Sequence, residues 1–279
     1  MIDRWMVMTD LDGTLLNHHN YDYQAAGPAL KQLATLNIPV IFNSSKTYAE
    51  LSALAQQLQV HHPFIVENGS AIFIPQHYFK KSSAQILMDA QRQDDFLVIT
   101  IGQDIEQLNV FLNRIKPVAI NFCHCPLEQA MELTGLTKAQ TLLAQNRQFS
   151  VPLVFQDTHQ EEAFTRQAEQ AGLGCLKGGR FLHLLGQCDK GVSMNVLRDL
   201  YQTTCQQHFG IIALGDGLND LAMLEQADIA VLVKSPSSAE LIALHPQFIT
   251  TQQQAPQGWA EGVQAALEKT TINGGVQHG

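Results

Sequence analysis

The chain has 279 residues, of which 45% are hydrophobic and 15% are charged, and its formal net charge is −9 at pH 7. This length suits one large domain or two ordinary ones. The acidic balance argues against nucleic acid as a partner, although it permits a local basic pocket for an anionic substrate. No run approaches 18 apolar residues, so the sequence predicts no membrane span and no membrane partner.

The N-terminus shows no charged segment followed by a long apolar stretch, so we expect no signal peptide and a cytoplasmic location. The five cysteines are odd in number and lack the spacing of a zinc site. Free thiols in a reducing compartment are therefore the favoured interpretation. No pattern in the sequence indicates an oligomeric state.

The first 80 residues alternate between strand and helix patterns. Apolar runs at 5–9 and 38–42 predict buried strands, and apolar residues at helical spacing over 30–34 and 51–58 predict helices after them. Strand–helix–strand order at this spacing is typical of βαβ units in a parallel sheet. Residues 64–74 then predict a hairpin with a tight turn.

A polar stretch at 80–83 marks a predicted domain boundary between residues 82 and 83. Weaker strand patterns follow at 96–101, 118–123, 153–156 and 181–185, alternating with helices at about 104–116, 126–134, 137–146 and 159–171. We interpret 83–187 as a smaller α+β domain inserted into a first domain made of 1–82 and 188–279. In the returning part, strands are predicted at 211–214 and 229–233, and helices at 191–209 and 219–226.

Aspartates follow two of the predicted buried strands. Asp10 and Asp12 come directly after the first strand, and Asp216 and Asp220 follow the strand at 211–214. Ligands of an open α/β sheet bind at the carboxyl ends of its strands, so the two groups can meet there. Carboxylates that meet repel each other unless a cation lies between them. The pattern predicts a Mg²⁺ site beside a carboxylate nucleophile, as phosphoryl transfer requires.

Asp10 and Asp12 are two residues apart, so an extended backbone would place both side chains on one face. One carboxylate can attack phosphorus, and the other can protonate the leaving oxygen and later deprotonate water. A solvated pair in a loop is the alternative. A calcium-binding EF-hand loop starting at Asp10 is excluded, because its sixth and twelfth positions would be Leu15 and Tyr21.

Three other short motifs admit a phosphate or metal role. Residues 43–47, Asn-Ser-Ser-Lys-Thr, can hold a phosphate at a helix start or simply cap the helix. Lys190 opposes the dipole of the helix it begins, which suggests an anion nearby, although a solvated lysine is the alternative. The run 215–220 departs from a dinucleotide-binding motif where Asp220 replaces the third glycine, and metal ligation fits it better.

Taken in order, these motifs resemble those of the haloacid dehalogenase (HAD) superfamily of phosphatases. The resemblance is carried by Asp10-Leu-Asp12-Gly-Thr14, Ser44, Lys190 and Gly215-Asp216-Gly-Leu-Asn219-Asp220. The segment between the second and third motifs resembles the cap domain of the Cof-type subgroup. The resemblance implies an α/β fold, with a Rossmann-like parallel sheet core (the HAD fold) and an inserted α+β cap domain.

Further runs resemble the mannosyl-3-phosphoglycerate phosphatases of that superfamily. They are 45–47, 65–75, 147–152 and 178–184. Two departures are visible, since the family's threonine in the second motif is Ser44 and its proline after Gly217 is Leu218. Neither departure removes a catalytic group.

The resemblance implies a role for each matching position. Asp10 would be the nucleophile and a Mg²⁺ ligand, and Asp12 would be the general acid and base and a second ligand through its carbonyl. The other positions would hold the phosphate (Ser44 and Lys190) and complete the metal site (Asp216, Asn219 and Asp220).

The implied substrate is a small phosphorylated sugar–glycerate. Candidate receptors for its carboxylate are Lys46, Arg147, Lys177 and Arg180, each of which could instead be a surface charge. The arginines are favoured because a guanidinium binds a planar carboxylate through two hydrogen bonds. We expect Glu67-Asn68-Gly69 to form a turn without a catalytic role. The chain has eleven histidines, which include His183, and we expect most of them to lie at the surface or in the tail.

The resemblance therefore implies a Mg²⁺-dependent phosphatase that converts mannosyl-3-phosphoglycerate into mannosylglycerate and phosphate. Glucosyl-3-phosphoglycerate and other sugar phosphates are alternative substrates. A phosphomutase would use the same aspartyl-phosphate but return the phosphoryl group to a second hydroxyl. A regulatory module that binds metal or phosphate is the non-enzymatic alternative, which the intact Asp10, Asp12 and Lys190 disfavour.

Overall fold

The computed structural model describes residues 2–79, 85–236 and 238–273. The strands are β1 (Arg4–Thr9), β2 (Val40–Asn43), β3 (Phe64–Val66), β4 (Ala71–Pro75), β5 (Gln91–Gln93), β6 (Phe96–Thr100), β7 (Ile120–Asn121), β8 (Ser150–Val154), β9 (Gly174–Gly178), β10 (Phe181–Leu185), β11 (Phe209–Gly215), β12 (Ile229–Lys234) and β13 (Ile249–Gln254). The α-helices are α1 (Gly27–Thr35), α2 (Tyr48–Gln57), α3 (Gln85–Met88), α4 (Ile105–Ile115), α5 (Leu127–Thr134), α6 (Lys138–Gln145), α7 (Thr158–Gln170), α8 (Lys190–Cys205), α9 (Leu221–Glu225), α10 (Ser238–Leu244) and α11 (Gln257–Asn273). Short 3₁₀ helices span Gln24–Ala26 and Leu218–Asp220.

These elements form two compact units. The first unit contains residues 2–44, 78–79, 85, 190–236 and 238–273. The second unit contains residues 45–77 and 86–189. The domain bounds inferred from the sequence stay a prediction, and the boundary between residues 82 and 83 lies outside the described residues.

The first unit is built on a parallel sheet in the order β13-β12-β11-β1-β2. The two inner strands β1 and β11 are almost continuously apolar and buried, as expected of parallel strands covered on both faces. Thr9, the last residue of β1, lies opposite Phe42 of β2 and Leu214 of β11. The predicted α/β fold with a parallel sheet is confirmed, and the three strands end at the same level.

The long helix α11 anchors the carboxyl end of β1. Its Trp259 is fully buried and donates its Nε1–H to Thr9 Oγ1 at 2.9 Å. Thr9 in turn donates to the backbone carbonyl of Asp10 at 2.6 Å. A buried indole with its nitrogen satisfied adds apolar area without leaving a polar group unpaired, so the start of the loop after β1 is held firmly.

The second unit contains antiparallel strands. β3 and β4 form the predicted hairpin, which β6 and β5 extend by further antiparallel pairing. The connection between β3 and β4 spans residues 67–70, and three of these, Glu67, Asn68 and Gly69, have positive φ angles. A second antiparallel sheet has the order β7-β8-β10-β9, and helices α4 and α7 pack on one of its faces.

None of the helices in the described part of the chain is long and apolar enough to cross a membrane.

Candidate active site

The polar residues of the first unit gather where its parallel strands end. Asp10 follows β1, Ser44 follows β2, Asp216 follows β11 and Ser235 follows β12. Parallel strands present their carboxyl ends at one edge of a sheet, so residues far apart in sequence become neighbours there. One oxygen each from Asp10, Asp216 and Asp220 lies within 4.8 Å of the other two.

Lys190 lies between two of these carboxylates. Its side chain is fully buried, and Nζ lies 2.5 Å from Asp10 Oδ1 and 2.6 Å from Asp220 Oδ1. The first turn of α8 is held in place by Asn43, whose Nδ2 donates to the Lys190 carbonyl at 2.9 Å. The buried ammonium has three protons and these contacts use two of them.

The second oxygen of Asp220 organises the loop after β11. Its Oδ2 accepts the backbone N–H groups of Asp216 at 2.9 Å and Gly217 at 3.1 Å. Asp220 is fully buried, so both of its oxygens are spent inside the protein. The arrangement makes Asp220 a fixed anion that positions Asp216 and Lys190.

The turn after β1 is shaped to fit Asp216. Gly13 has φ +82°, and a Cβ added there would lie 2.7 Å from Asp216 Oδ2. Only glycine adopts this backbone conformation at low cost and leaves that space open. The Thr14 hydroxyl lies 3.4 Å from Asp10 Oδ2 and 3.2 Å from Asp216 Oδ1, so it can donate to either carboxylate.

The electrostatics of this cluster favour a bound cation. Burial and the nearby Asp220 and Asp216 raise the pKa of Asp10, although Lys190 opposes the shift. Burial and Asp220 likewise raise the pKa of Asp216. Burial alone would lower the pKa of Lys190, but Asp10 and Asp220 raise it above its ordinary value. Three carboxylates face a single ammonium, and hard oxygen ligands of this kind suit Mg²⁺.

The remaining predicted core residues lie in the same unit. Asp12 is half-buried in the turn after β1 and forms an isolated bridge with Leu16. Ser44 is buried directly after β2. Asn219 is half-buried in the 3₁₀ helix and is not one of the three clustered carboxyl-bearing residues.

Three polar residues that support the site were not among the predicted site residues. They are Thr14, which contacts both Asp10 and Asp216, Asn43, which holds Lys190, and Ser235, which donates to the Asp216 carbonyl at 3.1 Å. Each lies within five residues of the end of a parallel strand. Polar residues at every strand end, rather than acidic ones alone, are the signal that could have identified them.

The four candidate receptors for the substrate carboxylate lie in the second unit. Lys46 Nζ lies 3.9 Å from Glu50 Oε1, and Lys177 Nζ lies 2.6 Å from Glu161 Oε2. Arg180 lies in the turn between β9 and β10, is exposed, and makes no hydrogen bond or ion pair within the described part of the chain.

Arg147, the fourth candidate, belongs to a buried network. Its Nε lies 3.3 Å from Glu67 Oε2 and 3.0 Å from Ser150 Oγ, and one terminal nitrogen donates to the Ser45 carbonyl at 2.8 Å. Glu67 is fully buried and also accepts the Ser150 hydroxyl at 2.6 Å. The guanidinium is therefore largely engaged inside the second unit.

The carboxylates of Asp10, Asp216 and Asp220 and the ammonium of Lys190 thus form one buried cluster at the carboxyl ends of the parallel strands. Residues 7–123 and 183–258 match the family described as haloacid dehalogenase-like hydrolase. The chain belongs to this family.

Two curated relatives and one solved structure refine the comparison. The chain is 36% identical over 278 residues to the glucosyl-3-phosphoglycerate/mannosyl-3-phosphoglycerate phosphatase of Methanococcoides burtonii, and 30% identical over 267 residues to the protein of the same name from Persephonella marina. Each alignment covers 95% of this chain and 97% of the relative. The sucrose-phosphatase from Synechocystis sp. PCC6803, solved in complex with sucrose and phosphate, shares the fold, with a TM-score of 0.61, 15% identity, and coverage of 96% of this chain and 98% of that one. The chain is thus a phosphoric monoester hydrolase of the haloacid dehalogenase-like type.

Proposed function

We propose that this phosphatase hydrolyses mannosyl-3-phosphoglycerate to mannosylglycerate and inorganic phosphate, and that it accepts the glucosyl compound by the same chemistry. The names of the two curated relatives, which mention both sugars, support this substrate class. The observation that carries the chemistry is the pairing of the buried Asp10 carboxylate with Lys190 beside two further aspartates.

Asp10 is the proposed nucleophile. Its Oδ1 is held by Lys190 at 2.5 Å, whereas Oδ2 has only the long 3.4 Å contact with the Thr14 hydroxyl. Oδ2 is therefore the oxygen that attacks phosphorus, and an aspartyl-phosphate forms as the bond from phosphorus to the glycerate oxygen breaks. Fixing the carboxylate by its other oxygen orients the attacking lone pair.

Lys190 and Ser44 would bind the transferred phosphoryl group. The third proton of the Lys190 ammonium remains available for a phosphoryl oxygen, and the buried Ser44 hydroxyl offers another donor at the end of β2. A phosphoryl transition state spreads negative charge over its equatorial oxygens, so donors fixed before the reaction stabilise it most.

Asp12 is the proposed proton carrier. It would donate a proton to the departing glycerate oxygen and then remove one from the water that attacks the aspartyl-phosphate. That attack breaks the bond between the phosphoryl group and the Asp10 oxygen, releases inorganic phosphate and restores both carboxyl groups.

Asp10, Asp216 and the backbone carbonyl of Asp12 would hold Mg²⁺, with Asn219 and Asp220 supporting them. The metal supplies positive charge that lets an anionic nucleophile approach a phosphate dianion. The fit rests on the clustered oxygen ligands and on the space beside Asp216 that a side chain at Gly13 would fill.

Arg180 is the proposed receptor for the glycerate carboxylate, because Lys46, Arg147 and Lys177 each have an acidic partner in the second unit. The change Arg180→Gln should raise KM for glycerate-containing substrates about tenfold or more and leave kcat nearly unchanged, as expected when one charge-assisted contact is lost. Lys177→Gln is the matched control and should have little effect. Equal kinetics for both variants would exclude this role of Arg180.

The test of the function is phosphate release from mannosyl-3-phosphoglycerate, glucosyl-3-phosphoglycerate, 3-phosphoglycerate and simple hexose phosphates, with Mg²⁺ and with EDTA. A strong preference for the glycosylated phosphoglycerates, lost with EDTA, is expected. Broad, weak activity on hexose phosphates would refute the proposed substrate while leaving the chemistry intact.

Asp10→Asn separates nucleophilic catalysis from mere folding. The amide keeps the shape of the side chain but cannot form an aspartyl-phosphate, so turnover should be abolished while the unfolding transition stays cooperative. Retained turnover in this variant would exclude the covalent mechanism.

A further inference from the structure

The β7-β8-β10-β9 sheet packs one face against α4 and α7, and on its other face Phe181 packs against Phe122, Ala130 of α5 and Ala144 of α6. Leu182 and Leu184 of β10 point to the face that α4 and α7 cover. Side chains alternate along a strand, so His183 between them points to the opposite face. Sequence reasoning predicted most histidines at the surface, yet His183 is only 8% exposed.

The neighbours of His183 on that face are mainly apolar. The residues directly opposite it are Pro152 on β8 and Leu176 on β9. The Phe181 ring lies 6.2 Å away at a steep angle. A Cβ added at Gly178 would lie 3.4 Å from His183 Nε2, so the glycine keeps the edge of the imidazole clear of a side chain.

The imidazole makes no hydrogen bond within the described ranges of the chain. Its Nδ1 is buried and has no partner there. Buried polar atoms in folded proteins are almost always paired, and each exception calls for a physical reason. The flanking proline and leucine side chains supply neither a donor nor an acceptor.

The charges around His183 determine which type of ligand group could form hydrogen bonds with its imidazole. The charged group whose field acts on His183 is Arg147, and Arg147 is compensated by Glu67. Burial first, and then Arg147, lower the pKa of His183 to about 3, so the ring is neutral at pH 7. A neutral imidazole offers one donor and one acceptor, which is the complement of a hydroxyl group rather than of a carboxylate or an ammonium.

We propose that His183 is a specificity-determining residue that binds a sugar hydroxyl of the substrate through its otherwise unpaired imidazole. The inference rests on the proposed function, which supplies a sugar next to the phosphoglycerate. In the second unit, Arg180 would then bind the charged glycerate carboxylate of the substrate, and His183 would bind the neutral sugar.

The test is a pair of variants measured on substrates with and without the sugar. His183→Phe keeps an aromatic ring but removes both nitrogens, so kcat/KM for the mannosyl and glucosyl compounds should fall about tenfold, mainly through KM, as expected for one lost neutral hydrogen bond. Hydrolysis of 3-phosphoglycerate should not change. His183→Gln, which restores a donor and an acceptor near the position of Nε2, should recover part of the loss. His159→Gln, at an exposed position of α7, is the control.

A second measurement does not depend on turnover. In protein labelled with ¹⁵N-histidine, mannosylglycerate should shift one imidazole signal that is missing from His183→Phe, and glycerate should not shift it. An equal loss on substrates with and without the sugar would mean a structural role and would overturn the inference, as would an unresponsive signal. A wild-type enzyme with no preference for glycosylated substrates would refute the proposed function, and titration with mannosylglycerate and mannose would still decide the role of His183.

Discussion

Glu67 makes buried contacts that could not be predicted from its position in the sequence. It lies in a hairpin connection with φ +50° and was predicted to form only a turn. In the structure its carboxylate accepts the backbone N–H groups of Gln148 and Phe149 at 2.8 and 3.2 Å, in addition to its pairing with Arg147 and Ser150. The turn was predictable from Asn68 and Gly69. The pairing was not, because nothing in the sequence links residues this far apart.

The change Glu67→Gln should be strongly destabilising. It leaves the Arg147 charge buried without its anion and turns an amide toward donors that need an acceptor. Loss of one partner of a buried ion pair costs about 3–5 kcal/mol. Urea unfolding followed by circular dichroism measures the change in the free energy of unfolding.

The matched control is the surface pair of Lys177 and Glu161, whose lysine side chain is 50% exposed. Glu161→Gln should cost less than about 1 kcal/mol, because solvent screens exposed pairs. The double variant Glu67→Gln/Arg147→Met should be more stable than Glu67→Gln alone. Similar small losses for Glu67→Gln and Glu161→Gln would contradict the buried network.

His183 should also impose a pH dependence on stability. Its pKa is lowered from 6.5 to about 3 in the folded protein. Below pH 6.5 the His183 imidazole is protonated in the unfolded chain but stays neutral in the folded protein. The contribution of His183 to the free energy of unfolding is therefore constant above pH 6.5 and falls as the pH drops from 6.5 toward 3. Between pH 8 and pH 5 this residue alone should cost roughly 2 kcal/mol. Unfolding free energies of wild type and His183→Phe at both pH values measure it, and an equal loss in the two proteins would contradict the prediction.

At the scale of elements, strands rich in large apolar residues could be predicted from the sequence, and strands without them could not. The strands at 5–9, 211–214 and 229–233 were predicted because buried parallel strands are runs of large apolar residues, and they appear as β1, β11 and β12. β9 (sequence GCLKG) and β5 (sequence QRQ) were missed, since glycine, lysine and glutamine do not produce a strand pattern. Such strands form because neighbouring strands pair with them, and pairing between distant segments is not visible in local sequence.

The first turn of α2 offers a test of local structure. Thr47 caps this helix in a capping box with Glu50, and its hydroxyl also lies 2.9 Å from the Leu143 carbonyl, to which it can donate. Thr137 caps α6 in the same way at an exposed position. Thr47→Ala should therefore cost about 2 kcal/mol and Thr137→Ala about 1 kcal/mol. Thermal unfolding of both variants and of Thr47→Ser measures the difference, and equal losses at the two caps would contradict the role of the Leu143 contact.

At the scale of the whole molecule, the two units differ in how far sequence reasoning reached. In the first unit, Asp10 and Asp216 could be expected to meet, because both follow buried strands and parallel strands end at one edge. In the second unit, the network of Glu67, Arg147 and Ser150 joins residues from a hairpin connection, a loop and the start of β8. No general rule brings such positions together, so the receptors for the substrate could be named only as a set of cations.

Metal binding can be measured without catalysis, through the fluorescence of tryptophans in the unit that contains the site. The clustered carboxylates all lie in the first unit, and so do both tryptophans of the chain, Trp5 and Trp259. Trp259 is joined through Thr9 to the backbone of Asp10, so its fluorescence reports on the unit that contains the site. A ligand that binds only the folded state at a hundred times its Kd stabilises that state by about 2.7 kcal/mol.

Mg²⁺ should accordingly raise the Tm measured by tryptophan fluorescence by several degrees, and EDTA should reverse the shift. Asp216→Asn removes one clustered carboxylate and should abolish most of the effect, whereas Asp199→Asn, at an exposed position of α8, should keep it. Because the three carboxylates repel one another in the folded state, Asp216→Asn should also be at least as stable as wild type when EDTA is present. If Mg²⁺ does not change the Tm but turnover still requires Mg²⁺, the metal binds together with the substrate and not to this cluster alone.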